Sequence, residues 1–335
     1  MTKINTINLQ ELKNNRPHFP VLLREVLNSL KLPSDDEPKE KIYLDCTFGF
    51  GGYSEFILST TSTKVIAIDR DESVLPRVKS LQEKYPNRLL FALNTFSNYP
   101  KVLADFNIEK VDGIIMDLGF STMQLNDKNR GFSFKENGDL SMAMGLNKIN
   151  AKEFVNSATE QLLADVIFHY GEEHKAKQIA KNIVKHRTLQ PINTTLELST
   201  IVKEVTGFGN YKGKNHKKSD TSTKTFQAIR IYVNDELKEL ETALKNSCSH
   251  LNQGGVLSIV SFHSLEDRMV KQFMNDFGEN IKYDKFTFYK LKDNTIDSKK
   301  IDFNILTKKP IVPTEEELEI NSPSSSAKLR VAEKL

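Results

Sequence analysis

Tyr43-Leu44-Asp45-Cys46-Thr47-Phe48-Gly49-Phe50-Gly51-Gly52-Tyr53-Ser54 is the stretch from which the fold is read. Ile42 to Leu44 has the short apolar run of a buried strand, and Ser54-Glu55-Phe56-Ile57-Leu58 reads as a first helical turn. The three glycines between them permit positive φ angles and let a ligand approach the backbone closely. Strand, glycine turn and helix predict the first βα unit of a doubly wound α/β sheet, where ligands sit beyond the carboxyl ends of the strands. A glycine turn that only packs a helix on a strand would look the same locally.

Outward from that turn, the next strand, Lys64-Val65-Ile66-Ala67-Ile68-Asp69, ends in a carboxylate. It lies about 20 residues past the glycines, the offset of an acid that holds ribose hydroxyls, so an adenosine-type ligand is expected. The dehydrogenase fingerprint wants a third glycine three positions after its second, where this chain has Ser54, and a strand-end acid before the turn is not part of it. Asp45 ahead of the turn suits a ligand with an ammonium and a sulfonium better than one with a pyrophosphate. S-adenosylmethionine is therefore favoured and a nicotinamide dinucleotide disfavoured.

The chain of 335 residues, 38% of them hydrophobic, allows two or three domains of ordinary size. No apolar run approaches the ~20 residues that span a bilayer. The start, Met1-Thr2-Lys3-Ile4-Asn5, lacks a signal-peptide apolar region. A cytoplasmic protein without a membrane partner is expected. Cys46 and Cys248 are the only cysteines, which suggests neither a disulfide framework nor a cysteine zinc site, and no metal is expected. A net charge of +3 is too small to argue for nucleic acid, so only its distribution can.

In chain order, His18 to Leu30 predicts an amphipathic helix and Ser34 to Lys41 a loop. Ser73 to Tyr85 predicts a second helix and Arg88 to Leu93 a third strand, with Phe96 at its carboxyl end as a candidate to pack on an adenine, or a plain core residue. Val111 to Asp117 predicts a fourth strand that opens into a turn through Ser121. An exocyclic base amine is a poor nucleophile because its lone pair is delocalised into the ring. Acceptors at this position, Asp117 first, would hold it in line with a methyl group, and alignment of that kind is worth about 7–11 kcal/mol of barrier.

Beyond Gln124 the pattern reads as a helical insertion. Thr159–Tyr170 and Glu172–Arg187 have helical apolar spacing, with Lys177, Lys181 and Lys185 four apart on the other face, either a solvated face or a track for a phosphate backbone. Thr194-Thr195-Leu196-Glu197 predicts a capping box, and Gly207 a helix stop. Asn210 to Lys218 is basic and reads as a mobile loop or an RNA contact. Phe226 to Leu244 predicts one long helix that returns the chain to the sheet. Gly254 to Phe262 predicts the fifth strand, followed by a helix with Ser264 and Asp267 in N-cap spacing. His263 is a candidate to orient a base or phosphate, though a structural histidine fits there equally. Phe277 to Asp302 is polar and lysine-rich; final strands near Phe303–Thr307 and Lys328–Ala332 enclose a proline- and serine-containing loop.

Taken together these motifs resemble the ribosomal small-subunit RNA methyltransferase H family, also called MraW. The likeness rests on His18-Phe19-Pro20-Val21-Leu22-Leu23, the Asp45–Ser54 turn, Asp117-Leu118-Gly119-Phe120-Ser121 and Arg130-Gly131-Phe132-Ser133-Phe134. It continues through Tyr170-Gly171-Glu172-Glu173, Thr225-Phe226-Gln227-Ala228-Ile229-Arg230, Ser261 to Arg268 and Ser326-Ala327-Lys328-Leu329-Arg330. The resemblance implies a class I, Rossmann-like methyltransferase of α/β class, with residues 1–127 and 223–335 forming the catalytic domain and 128–222 a helical substrate-recognition insertion. It implies methyl transfer from S-adenosylmethionine to the N4 amine of a cytidine in the decoding region of 16S ribosomal RNA, within the small subunit or its precursor. A homodimer is compatible with this reading.

Carried over by motif, the cofactor contacts are Gly51, Gly52, Tyr53, Asp69, Phe96, Asp117 and Gln124, and the candidate catalytic residues are Asp117, Ser121 and His263. The chain departs from the family pattern at Tyr53, where histidine is usual, at Ser141 and Ala143 in a loop that usually carries an acid and an arginine, and at His174, which replaces an arginine. The loop departures leave open an alternative: a catalytically inactive small-subunit assembly factor that retains the cofactor fold.

Overall fold

The structure is a computed structural model and describes residues 20–33, 40–134, 136–208, 210–212, 218–278 and 302–335. His18, Phe19 and most of the polar segment before Asp302 lie outside the described residues. The chain divides into two units, Met1–Gly119 with Glu239–Leu335, and Phe120–Lys238.

The first unit opens with α1 (Leu23–Ser29), β1 (Ile42–Asp45), α2 (Gly52–Thr60), β2 (Lys64–Asp69), α3 (Leu75–Lys84), β3 (Leu89–Leu93), α4 (Tyr99–Asp105) and β4 (Val111–Asp117). These strands are apolar on both faces because helices cover both. Successive side chains point to opposite sides: Tyr43, Val65 and Ile115 enter one core, Leu44, Ile66 and Ile114 the other.

The second unit contains α5 (Thr122–Asn126), α6 (Ala151–Ser157), α7 (Glu160–Gly171), α8 (Ala176–Arg187), α9 (Thr195–Thr206), a hairpin of β5 (Asn210–Lys212) and β6 (Lys218–Asp220), and α10 (Thr223–Val233). Its core joins Leu163 and Ile167 of α7, Ile179 and Ile183 of α8, Leu198 and Val202 of α9, and Phe226 and Ile229 of α10. Lys177, Lys181 and Lys185 are exposed on the opposite side of α8. The unit extends past the expected insertion bounds of 128 and 222. The reason is packing: Phe120 stacks on Phe132 with Arg230 above its ring, and α10 supplies part of the unit's core.

α11 (Glu236–His250) leads back into β7 (Leu251–Ser261), α12 (Ser264–Phe277), β8 (Phe303–Ile305), α13 (Glu315–Ile320) and β9 (Lys328–Lys334). The seven-stranded sheet has the order β3-β2-β1-β4-β7-β9-β8, parallel through β7, with β9 antiparallel to both neighbours. The chain reverses its direction across the sheet between β1 and β4, and a crevice at the carboxyl ends of such strands is where this architecture binds ligands.

Two elements differ from the sequence expectation. The helix expected over Phe226 to Leu244 breaks after Val233, with Asp235 at φ 52°. The buried Asn234 side chain accepts from Met144 N–H at 2.9 Å and donates to Met142 O at 2.8 Å, so tertiary hydrogen bonds outweigh a continuous apolar stripe. The loop expected before β9 contains α13, capped by Thr314, whose hydroxyl accepts from Glu317 N–H at 3.3 Å. Among the described residues no helix is long and apolar enough to cross a membrane.

Candidate active site

The glycine turn is pinned from both sides: Cys46 N–H donates to Ile115 O and Phe48 N–H to Ile68 O, each at 2.9 Å. Gly49 and Gly51 take φ of 52° and 74°, values costly for any residue with a Cβ. A Cβ on Gly51 would lie 2.7 Å from Phe48 Cζ and 2.9 Å from Leu81 Cδ1, and one on Gly52 2.1 Å from Pro20 Cγ. On Gly49 it would meet nothing nearer than 4.0 Å. Gly51 and Gly52 are therefore demanded by the packing beneath the turn, while Gly49 borders open space. Gly51 heads α2 with no side-chain cap, which leaves the first N–H groups of that helix without an intrahelical acceptor.

Asp45 is turned into the protein. It is fully buried, its Oδ2 accepting from Ser54 Oγ at 2.6 Å and its Oδ1 from Thr47 N–H at 3.2 Å. It ties the turn to α2, and burial pushes its carboxyl up to about 6. Asp69 is half-buried and accepts from Gly49 N–H through Oδ2 at 2.7 Å and from Asp71 N–H through Oδ1 at 2.9 Å. Burial raises its pKa, and each oxygen keeps a further lone pair for a hydroxyl. Asn94 N–H donates to Asp69 O at 2.8 Å, which sets the segment carrying the half-buried Phe96 beside this strand end.

Asp117 ends β4. Its N–H donates to Thr47 Oγ1 at 2.8 Å, its Oδ2 lies 3.5 Å from the Tyr53 hydroxyl, and its Oδ1 is buried without a hydrogen-bond partner among the described residues. Burial first, then the charges of Asp45, Glu266 and Glu317, hold its carboxyl well above the usual range. An unpartnered carboxylate oxygen among other acids is costly unless a cation or donor meets it. The Tyr53 ring is buried, and its hydroxyl donates to Val21 O.

Sequence reasoning missed Glu317. From α13 its Oε1 accepts from Leu22 N–H at 2.8 Å, and burial, opposed by that bond, pushes its carboxyl up to about 7. Leu22 heads α1 at φ 51°, a left-handed conformation that costs a branched residue about 1–2 kcal/mol, which a hydrogen bond to a charged group offsets. Thr314-x-x-Glu317 has capping-box spacing and could have revealed α13, but not where the Glu317 carboxylate goes.

Ser121 and Gln124 cap each other. Ser121 Oγ accepts from Gln124 N–H at 3.2 Å and Gln124 Oε1 accepts from Ser121 N–H at 2.9 Å, while Gln124 Nε2 donates to Met144 O. At the start of α12 the expected N-cap, Ser264, is replaced by His263. Its Nδ1 accepts from Glu266 N–H at 3.4 Å, and Glu266 Oε2 accepts in return from His263 N–H at 3.2 Å. His263 Nε2 is buried 3.1 Å from Glu266 Oε1 without the alignment of a hydrogen bond. Asp267, the expected partner of Ser264, instead binds Arg330 at 2.7 Å. In the second unit, Ala143 O accepts from the Arg130 guanidinium at 2.9 Å and Ser141 Oγ accepts from Ala143 N–H at 3.4 Å; His174 is exposed.

A profile of the MraW methylase family matches residues 15–335. The chain belongs to that family. A ribosomal RNA small subunit methyltransferase H of Orientia tsutsugamushi (strain Ikeda) is 45% identical over 325 residues, spanning 96% of this chain and 99% of that protein. The protein of the same name from Rickettsia canadensis is 44% identical over 316 residues, spanning 94% and 97%. The one from Ehrlichia ruminantium (strain Gardel) is 42% identical over 320 residues, spanning 95% and 99%.

The first unit's groups fit the cofactor that the sequence pattern favours. The N-terminus of α2, headed by Gly51, suits a carboxylate through the N–H groups ahead of Ser54, whose own N–H is met by Asp45. The unpartnered Asp117 Oδ1, with Asp45, Glu266 and Glu317 around it, suits an ammonium and a sulfonium.

Proposed function

We propose that this MraW-family methylase transfers a methyl group from S-adenosylmethionine to the exocyclic N4 of a cytidine in the decoding region of 16S ribosomal RNA, met within the small subunit or its precursor in the cytoplasm. End-to-end kinship with proteins named ribosomal RNA small subunit methyltransferase H carries the substrate class. For the reaction centre, the unpartnered buried oxygen of Asp117 carries the reading. When bound, the cofactor would supply an electrophilic methyl group on a sulfonium; the N4–CH3 bond would form as the S–CH3 bond breaks, and N4 would release one proton to solvent.

The chain's residues bind and align. The α2 N-terminus would receive the methionine carboxylate, and Asp69 would accept from ribose hydroxyls with the lone pairs left by Gly49 and Asp71. Phe96 would pack on the adenine. Asp117 holds the cationic end and accepts from the attacking amine, whose lone pair must be turned out of the ring plane toward the methyl group. Ser121, Gln124 and His263 position backbone through their capping boxes and hold no proton in transit. The helices of residues 120–238, with Lys177, Lys181 and Lys185 exposed on α8, meet the RNA backbone.

The test incubates the purified protein with labelled S-adenosylmethionine and small subunits that lack the modification, then digests the RNA to nucleosides. Labelled N4-methylcytidine from a single site is expected. Cofactor and subunit binding without any label would overturn the reading in favour of a non-catalytic assembly factor.

A further inference from the structure

Two carboxyl groups far apart in sequence meet the opposite ends of one short bridge. The Tyr53 hydroxyl lies 3.5 Å from Asp117 Oδ2 and donates to Val21 O. Val21 O and Leu22 N belong to the same peptide unit, and Leu22 N–H donates to Glu317 Oε1 at 2.8 Å. The path from Asp117 through phenol and peptide to Glu317 is therefore continuous, and every residue on it is buried or half-buried.

We propose that this chain of hydrogen bonds makes Glu317 a positioning residue, whose charge sets the pH at which Asp117 ionises and so the pH at which the site accepts the cationic end of its cofactor. The inference rests on the reading of Asp117 given under the proposed function. Its sign follows from the direction of the bonds. An ionised Glu317 pulls on the Leu22 N–H, and hydrogen-bonded groups at low dielectric polarise one another, so Val21 O becomes the stronger acceptor. The single Tyr53 proton is then committed to Val21, and the phenol oxygen turns a lone pair toward Asp117. That arrangement favours the protonated acid at Asp117, which can donate to the phenol. With Glu317 neutral the Tyr53 proton is free to turn, and it stabilises the Asp117 carboxylate.

The other charges facing these groups do not reverse the sign. Asp45 on β1 and Glu266 on α12 raise Asp117 with or without Glu317. Glu25 and Arg24 on α1 face Glu317, the first raising it and the second lowering it. Arg24 is itself paired with Glu316 at 2.9 Å. Since Glu317 is pushed up to about 7, its charge changes near neutrality, where a change in cofactor affinity is felt.

The test uses the full chain with aspartate labelled at the side-chain carboxyl carbon, followed by NMR across pH, the Asp117 resonance being identified with Asp117→Asn. Glu317→Gln keeps an acceptor for Leu22 N–H and removes the charge. It is expected to lower the Asp117 midpoint by about one pH unit. In a Tyr53→Phe background the same substitution is expected to move the midpoint by less than half as much. Calorimetry with S-adenosylmethionine should show affinity climbing with pH in the unsubstituted protein, and the climb displaced to lower pH in Glu317→Gln.

An unmoved Asp117 midpoint in Glu317→Gln overturns the proposal, as does a uniform loss of affinity at every pH, which marks a merely structural role. A shift undiminished by Tyr53→Phe reduces the effect to a field through space and overturns the chain. Should S-adenosylmethionine fail to bind at any pH while the NMR midpoint moves as expected, the reading of the site falls and the linkage between Glu317 and Asp117 stands.

Discussion

Two helices begin at the carboxyl ends of parallel strands in the same sheet, and they begin in opposite ways. α12, after β7, is closed by its own residues: His263 Nδ1 accepts from Glu266 N–H, and Glu266 Oε2 accepts from His263 and Phe262 N–H. α2, after β1, is headed by Gly51 in a left-handed conformation with no side-chain cap. In each helix a side chain meets the N–H of the third residue, His263 that of Glu266 and Asp45 that of Ser54, but only α2 is headed by a residue without a side chain, in a left-handed conformation that lets a ligand approach the backbone. The glycine head of α2 and the histidine cap of α12 are therefore the contrast that substitution can test.

The largest effect that tests this comparison is expected at the glycine head. Gly51→Ala combines an unfavourable φ of 74° with a Cβ 2.7 Å from the Phe48 ring, so it should cost about 2–4 kcal/mol in urea denaturation and abolish cofactor binding by calorimetry. Gly49→Ala, at φ 52° but with open space around it, should cost only about 1 kcal/mol. Equal costs at the two positions would break the claim that packing beneath the turn selects Gly51.

A middle-sized effect is expected at Asp117. Asp117→Asn preserves shape and removes the charge, so binding of S-adenosylmethionine at pH 8 should fall roughly ten- to a hundredfold, about 1.4–2.8 kcal/mol. Stability should move the other way. A carboxyl raised by burial contributes stability that is fully present below the ordinary carboxylate range and is lost as pH rises through its own raised pKa. The Asn variant should therefore melt with the unsubstituted protein in acid and above it in alkali. Identical melting at both ends would mean that the site tolerates the Asp117 charge without a partner.

The smallest effect is expected at the closed helix. His263→Asn keeps a side-chain acceptor for the Glu266 N–H in a residue favoured at N-caps, so stability should change by less than about 1 kcal/mol and methyl transfer by no more than a few-fold. A folded variant with collapsed transfer would place His263 in the chemistry and erase the contrast between the two helix starts.

Much of the first unit was legible because its signals are local. Lys64–Asp69 and Val111–Asp117 read as strands with correct ends, since their short length and β-branched residues favour strand over helix. The Thr194–Glu197 capping box was equally plain. The long helix was misjudged because the apolar stripe from Phe226 to Leu244 runs on through the break, and only the buried hydrogen bonds of Asn234 interrupt it. Ser264 and Asp267 have N-cap spacing in sequence, yet His263 is the cap, paired with Glu266 at the same offset.

Taken alone, the sequence determined the α/β class, the glycine turn, the strand-end acids and the helical second unit, for these follow from periodicity and turn chemistry acting over a few residues. It also fixed the family, through motifs spread along the whole chain. What each acid does was decided only by the tertiary structure. Asp45 turned inward to hold the turn, Asp117 was left with a buried unpartnered oxygen, and Glu317 was brought to Leu22 across 295 residues. Desolvation and the fields of neighbouring charges depend on which segments meet in space, and no spacing along the chain encodes that.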